Sequence, residues 1–215
     1  MGNNITELVF ILDKSGSMSG LEADTIGGFN AMIEKQKKED SKAFVTTVLF
    51  STSCKVIHDR VDISKMEPMT DKDYQVGGCT ALMDAMGDTI KHITRIHKYA
   101  RPEDVPEHTV FVITTDGMEN ASRKYSADEI KKMVKHEEEK YGWEFIFLAA
   151  NIDAVETAES YGIQSDNTSG FRACSEGIGA VYDCVCDALT NLRSGNKLAK
   201  GWNDRLENND SSEIF

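Results

Sequence analysis

The sequence predicts an α/β fold, a doubly wound sandwich in which helices cover both faces of a mostly parallel sheet. Uninterrupted apolar runs, such as residues 8–12 and 109–115, are typical of strands that are buried on both faces of a parallel sheet. Between these runs lie segments with the apolar period of helices, and this alternation is the pattern of doubly wound domains. We therefore expect three layers, with the sheet in the middle.

The first half of the chain departs from this alternation at one point. A strand at 8–12 and a helix at about 21–38 are followed by two strands, at 43–50 and 54–61. Residues 51–53 (Ser-Thr-Ser) are too short for a crossover, so they permit only an antiparallel hairpin. We expect this antiparallel strand at an edge of the sheet.

The second half alternates regularly. We predict a helix from about Thr80 to Tyr99, the strand at 109–115, and a helix that begins at a capping box formed by Ser126 and Glu129. The remaining predicted elements are a strand at 144–150, a short helix at 153–161, a weak strand at 162–165 and a long helix at 174–193.

The chain divides into a domain and a tail. Residues 1–193 carry the predicted elements, and residues 194–215 form a polar, acidic C-terminal segment rich in Asn, Asp and Ser. In that tail, Leu198, Trp202 and Leu206 recur every fourth residue, which favours a short helix that docks back onto the domain.

Charge and composition exclude several classes of partner. The 215 residues carry a formal net charge of −12, so we expect neither a nucleic-acid partner nor an anionic membrane, since both need a basic surface. No apolar stretch is long enough to span a membrane, and the N-terminus has no secretion-signal pattern. The five cysteines include no Cys-x-x-Cys pair, which favours free thiols in a reducing compartment. We therefore expect a cytoplasmic protein.

Oxygen-bearing side chains follow two of the predicted core strands. Asp13-x-Ser15-x-Ser17 comes directly after the first strand, and Asp116 comes directly after the strand at 109–115. A third loop places the Thr80 hydroxyl at the start of a helix. Right-handed crossovers bring such loops to the same edge of the sheet, where ligands of open α/β sheets bind.

Two carboxylates and three hydroxyls are ligands that hard divalent cations prefer. We therefore predict a Mg²⁺ site, with Mn²⁺ or Ca²⁺ as alternatives, formed by Asp13, Ser15, Ser17, Thr80 and Asp116. Taken alone, the first segment fits a Ser/Gly-rich turn that caps a helix equally well. A purely structural domain with no metal is a further alternative, although all five positions carry oxygen donors.

Three separated motifs of this chain resemble the von Willebrand factor A domain, in particular members with an intact metal-ion-dependent adhesion site. The motifs are Asp13-Lys14-Ser15-Gly16-Ser17, Gly78-Cys79-Thr80, and Thr115-Asp116-Gly117 with Asn120. The resemblance covers roughly residues 5–193. It implies a Rossmann-like fold with the strand order 3-2-1-4-5-6, in which strand 3 is antiparallel.

The resemblance also implies roles for the five residues. Ser15, Ser17 and Thr80 would coordinate the metal through their hydroxyls, and Asp13 and Asp116 would bind it directly or through water. An Asp or Glu of a partner protein would complete the shell. The chain is similar to compact intracellular bacterial or phage members, whose relatives include stress-response components and proteins that work with AAA-type ATPases.

The resemblance implies a protein-binding module and no enzyme. The alternative is a Mg²⁺-dependent phosphohydrolase of the haloacid-dehalogenase type, in which an aspartate also ends the first strand of a Rossmann-like sheet. Such an enzyme normally carries a second acid two residues later as its general acid. Here that position is Ser15, which cannot act as an acid near neutral pH.

Overall fold

A six-stranded sheet forms the centre of the computed structural model, which describes residues 4–206. Its strands are β1 (Ile5–Asp13), β2 (Lys42–Phe50), β3 (Cys54–Asp62), β4 (His108–Thr115), β5 (Glu144–Ala149) and β6 (Thr168–Gly170). Its helices are α1 (Glu22–Gln36), α2 (Leu82–Tyr99), α3 (Ala127–Tyr141), α4 (Ala154–Ser160) and α5 (Ser175–Arg193).

The order of the strands across the sheet is β3-β2-β1-β4-β5-β6. Neighbouring strands are parallel except β2 and β3, which form the antiparallel hairpin at one edge. The predicted Rossmann-like fold class and its strand order are thus confirmed. In the register of the sheet, Asp13 at the end of β1 lies opposite Phe50, and Leu12 lies opposite Thr114 of β4. The ends of β1 and β4 therefore lie side by side.

Two apolar cores lie on opposite faces of the sheet. Alternate residues of β1 face opposite ways, so that Phe10 packs with α1 and α5 while Ile11 packs with α2, α3 and α4. Every residue of β1 is buried, as expected for a central strand that is covered on both sides. The predicted capping box of Ser126 and Glu129 begins α3.

The weak strand predicted at residues 162–165 is wrong, because the sixth strand comes later, at Thr168–Gly170. Gly162 has a φ of +86° and ends the α4 segment, and the Ile163 N–H donates to the Ala158 carbonyl. The Ile163 side chain is then buried in the core beside α4 instead of pointing from a strand. A 3₁₀ turn at Ser165–Asn167 separates this buried residue from β6.

Residues 198–206 lie against the domain. Leu206 is buried in the core that α1 and α5 share, and Leu198 and Trp202 pack at its border. The Trp202 indole N–H donates to the Asp166 carbonyl at 2.9 Å. The rest of the predicted tail, residues 207–215, lies outside the described residues, and the division of the chain at residue 193 stays a prediction. No helix within residues 4–206 combines the length and hydrophobicity needed to cross a membrane.

The Glu144→Gln substitution is expected to stabilise the protein increasingly as the pH rises. Burial raises the pKa of the Glu144 carboxyl from 4.5 to about 7, because the ionised form loses water; Lys197 opposes the shift. The unfolded chain ionises near 4.5 and the folded chain only near 7, so the wild type loses stability between these values and the variant does not. Urea unfolding from pH 4 to pH 8.5 measures the difference.

Glu139→Gln is the control for this prediction, since Glu139 is an exposed carboxyl on α3. A stability difference between the Glu144→Gln variant and wild type that stays constant over the whole pH range would contradict the prediction.

Candidate metal centre

Three loops meet at the edge of the sheet where β1 and β4 end. Asp13 is the last residue of β1, Asp116 follows β4 directly, and Thr80 lies just before α2. Only 1%, 2% and 3% of their surfaces are exposed, so both carboxylates are withdrawn from water. The edge of the sheet predicted from the sequence is thus where these side chains lie.

A chain of hydrogen bonds joins the first loop to the third. The Ser15 N–H donates to Asp13 Oδ1 at 2.7 Å, and the hydroxyls of Ser15 and Ser17 lie 3.0 Å apart. The Ser17 hydroxyl donates in turn to Asp116 Oδ1 at 2.5 Å. Four of the five predicted ligands, Asp13, Ser15, Ser17 and Asp116, are therefore linked by consecutive hydrogen bonds.

Thr80 approaches the same point from the second loop, beside Gly117. A methyl group placed on Gly117 would lie 3.3 Å from the Ser17 hydroxyl and 3.6 Å from the Thr80 hydroxyl. Gly117 is thus closely flanked by both hydroxyls, and a larger residue would crowd them. The structure therefore brings all five predicted residues together.

The electrostatics of the site are those of two carboxylates held out of water. Burial raises the pKa of Asp13, while hydrogen bonds from Ser15 and Thr115 work in the opposite direction. Burial likewise raises the pKa of Asp116; the hydrogen bond from Ser17 lowers it and the nearby charge of Asp13 raises it further. Both shifts show that negative charge at this position is unfavourable without a compensating positive charge.

One oxygen of the site has no partner. Asp116 Oδ2 is buried and accepts no hydrogen bond. A buried carboxylate oxygen left unsatisfied costs free energy, which a bound cation would recover. The donors around it are carboxylates and hydroxyls, which suit hard cations such as Mg²⁺, Mn²⁺ and Ca²⁺. The residues present therefore fit a divalent cation of this class.

The hydroxyls are essential to this donor set. Within residues 4–206, no three His, Cys, Asp or Glu side chains converge into a group that could hold a metal ion. A Cys/His zinc site or an all-carboxylate calcium site is thus absent from the described part of the chain. A cation at this edge of the sheet would depend on Ser15, Ser17 and Thr80 as well as on the two aspartates.

Two residues that support Asp13 were given no role by the sequence analysis. The Thr115 hydroxyl donates to Asp13 Oδ2 at 2.7 Å, and the buried Tyr74 hydroxyl donates to the Asp13 carbonyl. Burial raises the pKa of Tyr74, which therefore stays protonated as a donor. The sequence signal for Thr115 was its position directly before Asp116. Tyr74 lies in an irregular segment whose sequence has no periodicity from which its contact could be predicted.

Asn120 and Glu119 connect the Thr80 loop to the Asp116 loop by hydrogen bonds, and we call this group the clasp. Asn120 Oδ1 accepts the Thr80 N–H at 3.0 Å, and the Asn120 N–H donates back to the Thr80 carbonyl at 3.0 Å. Glu119 accepts the N–H groups of Met83, Ala121 and Ser122 at 2.9, 2.9 and 2.7 Å. The two loops are thereby joined into one hydrogen-bonded unit.

Asp84, in the first turn of α2, extends this clasp. Its carboxylate accepts the backbone N–H groups of residues 123, 124 and 125 at 3.0, 2.8 and 3.2 Å. The motif analysis included Asn120 without a role and did not single out Glu119 or Asp84. The sequence signal for Asp84 was an acidic residue near the start of a helix. The sequence does not reveal that its hydrogen-bond partners lie in the loop after β4.

The family of this chain is established by its match to a family model. The model for the VWA domain containing CoxE-like protein matches residues 3–150, more than half of the 215-residue chain. The chain belongs to this VWA family. No curated protein matches the chain in sequence.

Solved structures with the same fold include proteins from distant sources. They are proximal thread matrix protein 1 from the mussel byssus with a zinc-occupied MIDAS motif, a mutant of the PilB minor pilin from Streptococcus sanguinis, and the ArnB paralog VWA2 from Sulfolobus acidocaldarius. Their TM-scores are 0.59, 0.57 and 0.53, at 12%, 12% and 14% identity over 86%, 86% and 87% of this chain. This chain spans only 46%, 61% and 45% of the lengths of these chains, and the similarity shows the fold alone.

The Glu119→Ala substitution should lower the free energy of unfolding of this VWA domain by about 2–3 kcal/mol, because several N–H groups of the clasp lose a charged acceptor. Urea unfolding at neutral pH measures the change. Glu22→Ala is the matched control, since Glu22 accepts a single backbone N–H, from Gly20 at 2.8 Å, near the start of α1. Equal losses in the two variants would show that the clasp adds nothing to stability.

Proposed function

We propose that this VWA domain binds a divalent cation in a metal-ion-dependent adhesion site and thereby captures an acidic residue of a partner protein. The observation that carries the proposal is the buried, unpartnered Oδ2 of Asp116, which lies in the hydrogen-bonded group of Asp13, Ser15 and Ser17. A cation beside this oxygen would satisfy it and offset the charge of the two buried aspartates.

Asp13, Ser15, Ser17, Thr80 and Asp116 would hold the cation, with Mg²⁺ preferred and Mn²⁺ or Ca²⁺ as alternatives. When bound, the metal supplies a positive centre that attracts an anionic oxygen from outside. Ser15 and Ser17 place neutral donors between the two aspartates, and Thr115 and Tyr74 hold Asp13 in position. One solved structure with the same fold, the mussel protein, is described with zinc in its MIDAS motif, which supports a metal at the corresponding edge.

An Asp or Glu side chain is the partner chemistry that this site favours. Two carboxylates and three hydroxyls supply five oxygen donors, so a six-coordinate cation would keep a position open for an oxygen ligand from outside, and an anionic oxygen is favoured there. The protein itself carries a net charge of −12, so its general surface repels acidic partners. The metal would therefore be the local attraction that selects an acidic residue.

We propose a binding role and no catalysis. In the haloacid-dehalogenase alternative, the general acid stands two residues after the first aspartate, but that position is Ser15, whose hydroxyl is paired with Ser17. The family match is to a VWA domain and gives the phosphohydrolase no support. A cytoplasmic setting of the compact bacterial or phage type is part of the proposal, supported by five free cysteines, of which Cys54 and Cys79 are exposed. An AAA-type ATPase or a stress-response component as partner rests on the family resemblance alone.

Asp116→Asn should remove the stabilisation that Mg²⁺ or Mn²⁺ gives to the wild type. Cation binding raises the melting temperature by mass action, and the variant loses a charged ligand while keeping the shape of the side chain. In EDTA the variant should melt at the same or a higher temperature than wild type, because one of two buried carboxylates is gone. Calorimetric titration and thermal melting measure both effects.

Asp71→Asn is the control, since Asp71 is exposed, lies outside the site and undergoes the same change of charge. The metal assignment would be wrong if Asp116→Asn bound Mg²⁺ and Mn²⁺ as tightly as the control variant.

Partner capture should be lost in EDTA and in the Thr80→Ala variant, because both remove the metal or one of its donors. Pull-down from the native host, with Mg²⁺ or with EDTA, tests this expectation, and Thr70→Ala serves as a threonine control outside the site. A partner that is retained equally in EDTA would place the interface elsewhere on the domain.

A further inference from the structure

A groove between α2 and α3 carries an excess of positive charge. Lys91, Arg95 and Lys98 line it from α2 and Lys132 lines it from α3, and all four side chains are exposed. Among the described residues, none of the four forms an ion pair. The protein carries a net charge of −12, so this cluster of unpaired cations makes the local charge of the groove opposite in sign to that of the whole protein.

The other charged group of the groove does not cancel this excess. Glu137 lines the base and is only 5% exposed. One of its oxygens accepts the Thr94 hydroxyl at 3.0 Å, and the other has no hydrogen-bond partner. The ammonium groups of Lys91 and Lys98 lie over the rings of Tyr125 and Tyr99, at 4.5 and 5.6 Å, and these rings orient the cations without neutralising them. Glu129, in the first turn of α3, interacts with Lys91 and Lys132 and also accepts the Ser126 hydroxyl, so two carboxylates face four cations.

The groove also has an apolar component. Met133, which is half-buried, lines the groove, and Tyr99 is 77% exposed at the end of α2, whereas Ile90 is only 1% exposed. The apolar strip formed by Met133 and Tyr99 beside the cations suits a ligand with an apolar face and acidic flanks. Free phosphate would satisfy the cations and leave the apolar strip uncovered.

The spacing of the cations indicates the shape of that ligand. Lys91, Arg95 and Lys98 are related as i, i+4 and i+7 on α2, and Lys132 and His136 are related as i and i+4 on α3. Such side chains repeat at the pitch of a helix, about 5–6 Å between neighbours. Glutamates at i, i+4 and i+7 on a second helix repeat at the same pitch, so the two rows match in register.

We propose that the α2–α3 groove docks an amphipathic helix of a partner protein, with its apolar face towards Met133 and its acidic side chains against the cations of α2 and α3. Helix-in-groove recognition uses such spaced anchors, and complementary charge sets the register. A nucleic acid is disfavoured, since the basic area is short and the protein around it is acidic.

This surface is separate from the candidate metal centre. Lys91 lies nine residues along α2 from Leu82, roughly 14 Å by helical rise, and the Thr80 loop lies beyond that end. Docking in the groove therefore needs no cation at Asp13 and Asp116. Binding measured in EDTA tests the groove alone, so the outcome is independent of the proposed metal function.

The experiment uses a fluorescent amphipathic peptide of about 20 residues, long enough to form a helix, with leucines on one face and glutamates at i, i+4 and i+7 on its flanks. A scrambled peptide of the same composition is the matched ligand control. Anisotropy in EDTA should show binding of the amphipathic peptide, weakening with salt. The Lys91→Glu/Arg95→Glu variant should bind it roughly tenfold or more weakly, because attraction becomes repulsion.

Lys38→Glu/Lys72→Glu is the matched protein control, with the same change in net charge at exposed positions outside α2 and α3. It should bind like wild type, and amide chemical shifts of wild type on adding the peptide should change along α2 and α3. Thermal melting establishes that the variants fold; if Lys91→Glu/Arg95→Glu does not, Lys91→Gln and Arg95→Gln take its place. Equal binding of the scrambled peptide, equal binding by the charge-reversed variant, or tighter binding of single-stranded DNA or phosphatidylserine vesicles in the groove would overturn the proposal.

Discussion

The burial of two carboxylates at the ends of neighbouring strands is the constraint on which the rest of the site depends. Asp13 and Asp116 lose most of their hydration, and the surrounding groups partly replace it: the Ser15 N–H and the hydroxyls of Thr115 and Ser17 all donate to them. Because Asp116 Oδ2 remains without a donor, the replacement is incomplete. If a cation binds here as proposed, its positive charge would recover the stability that the burial of these carboxylates costs.

The three loops around these carboxylates are joined to one another by hydrogen bonds. Asn120, Glu119 and Asp84 bind the Thr80 loop and the Asp116 loop to each other through backbone hydrogen bonds. The Ser15–Ser17 loop is joined to the second loop by backbone hydrogen bonds, from the Gly16 N–H to the Gly78 carbonyl at 3.0 Å and from the Gly77 N–H to the Lys14 carbonyl at 2.9 Å. It is joined to the third loop by the bond from Ser17 to Asp116. All three loops are therefore held to one another by hydrogen bonds of the protein itself.

The two helical layers also differ in whether their cationic side chains are paired within the protein. On one face, α5 is tied to α1 by the buried Arg193 guanidinium, which donates to the Gln36 carbonyl and side-chain oxygen at 2.6 and 3.0 Å. Its donors are occupied by the protein itself. On the other face, Lys91, Arg95 and Lys98 of α2 form no ion pair with any residue from 4 to 206. One layer is therefore closed by its own polar contacts, whereas the other presents charge to the surroundings.

The sequence by itself determined the mostly parallel sheet, the antiparallel edge strand and the position of oxygen-bearing side chains at the strand ends, because apolar runs, short connections and strand-end polar residues are local signals. The strand order was implied by the resemblance to the von Willebrand factor A domain. It could not place β6, since the apolar Ile163 is buried at the exit of α4 and the three residues of β6 are recognised only by pairing with β5. It also could not reveal the bonds of Tyr74 to Asp13, of Met83 to Glu119 or of Asp84 to residues 123–125, because each joins separate segments of the chain. Only the tertiary structure decided which hydrogen bonds satisfy the buried carboxylates and which oxygen stays unpaired, because that balance depends on groups far apart in the chain.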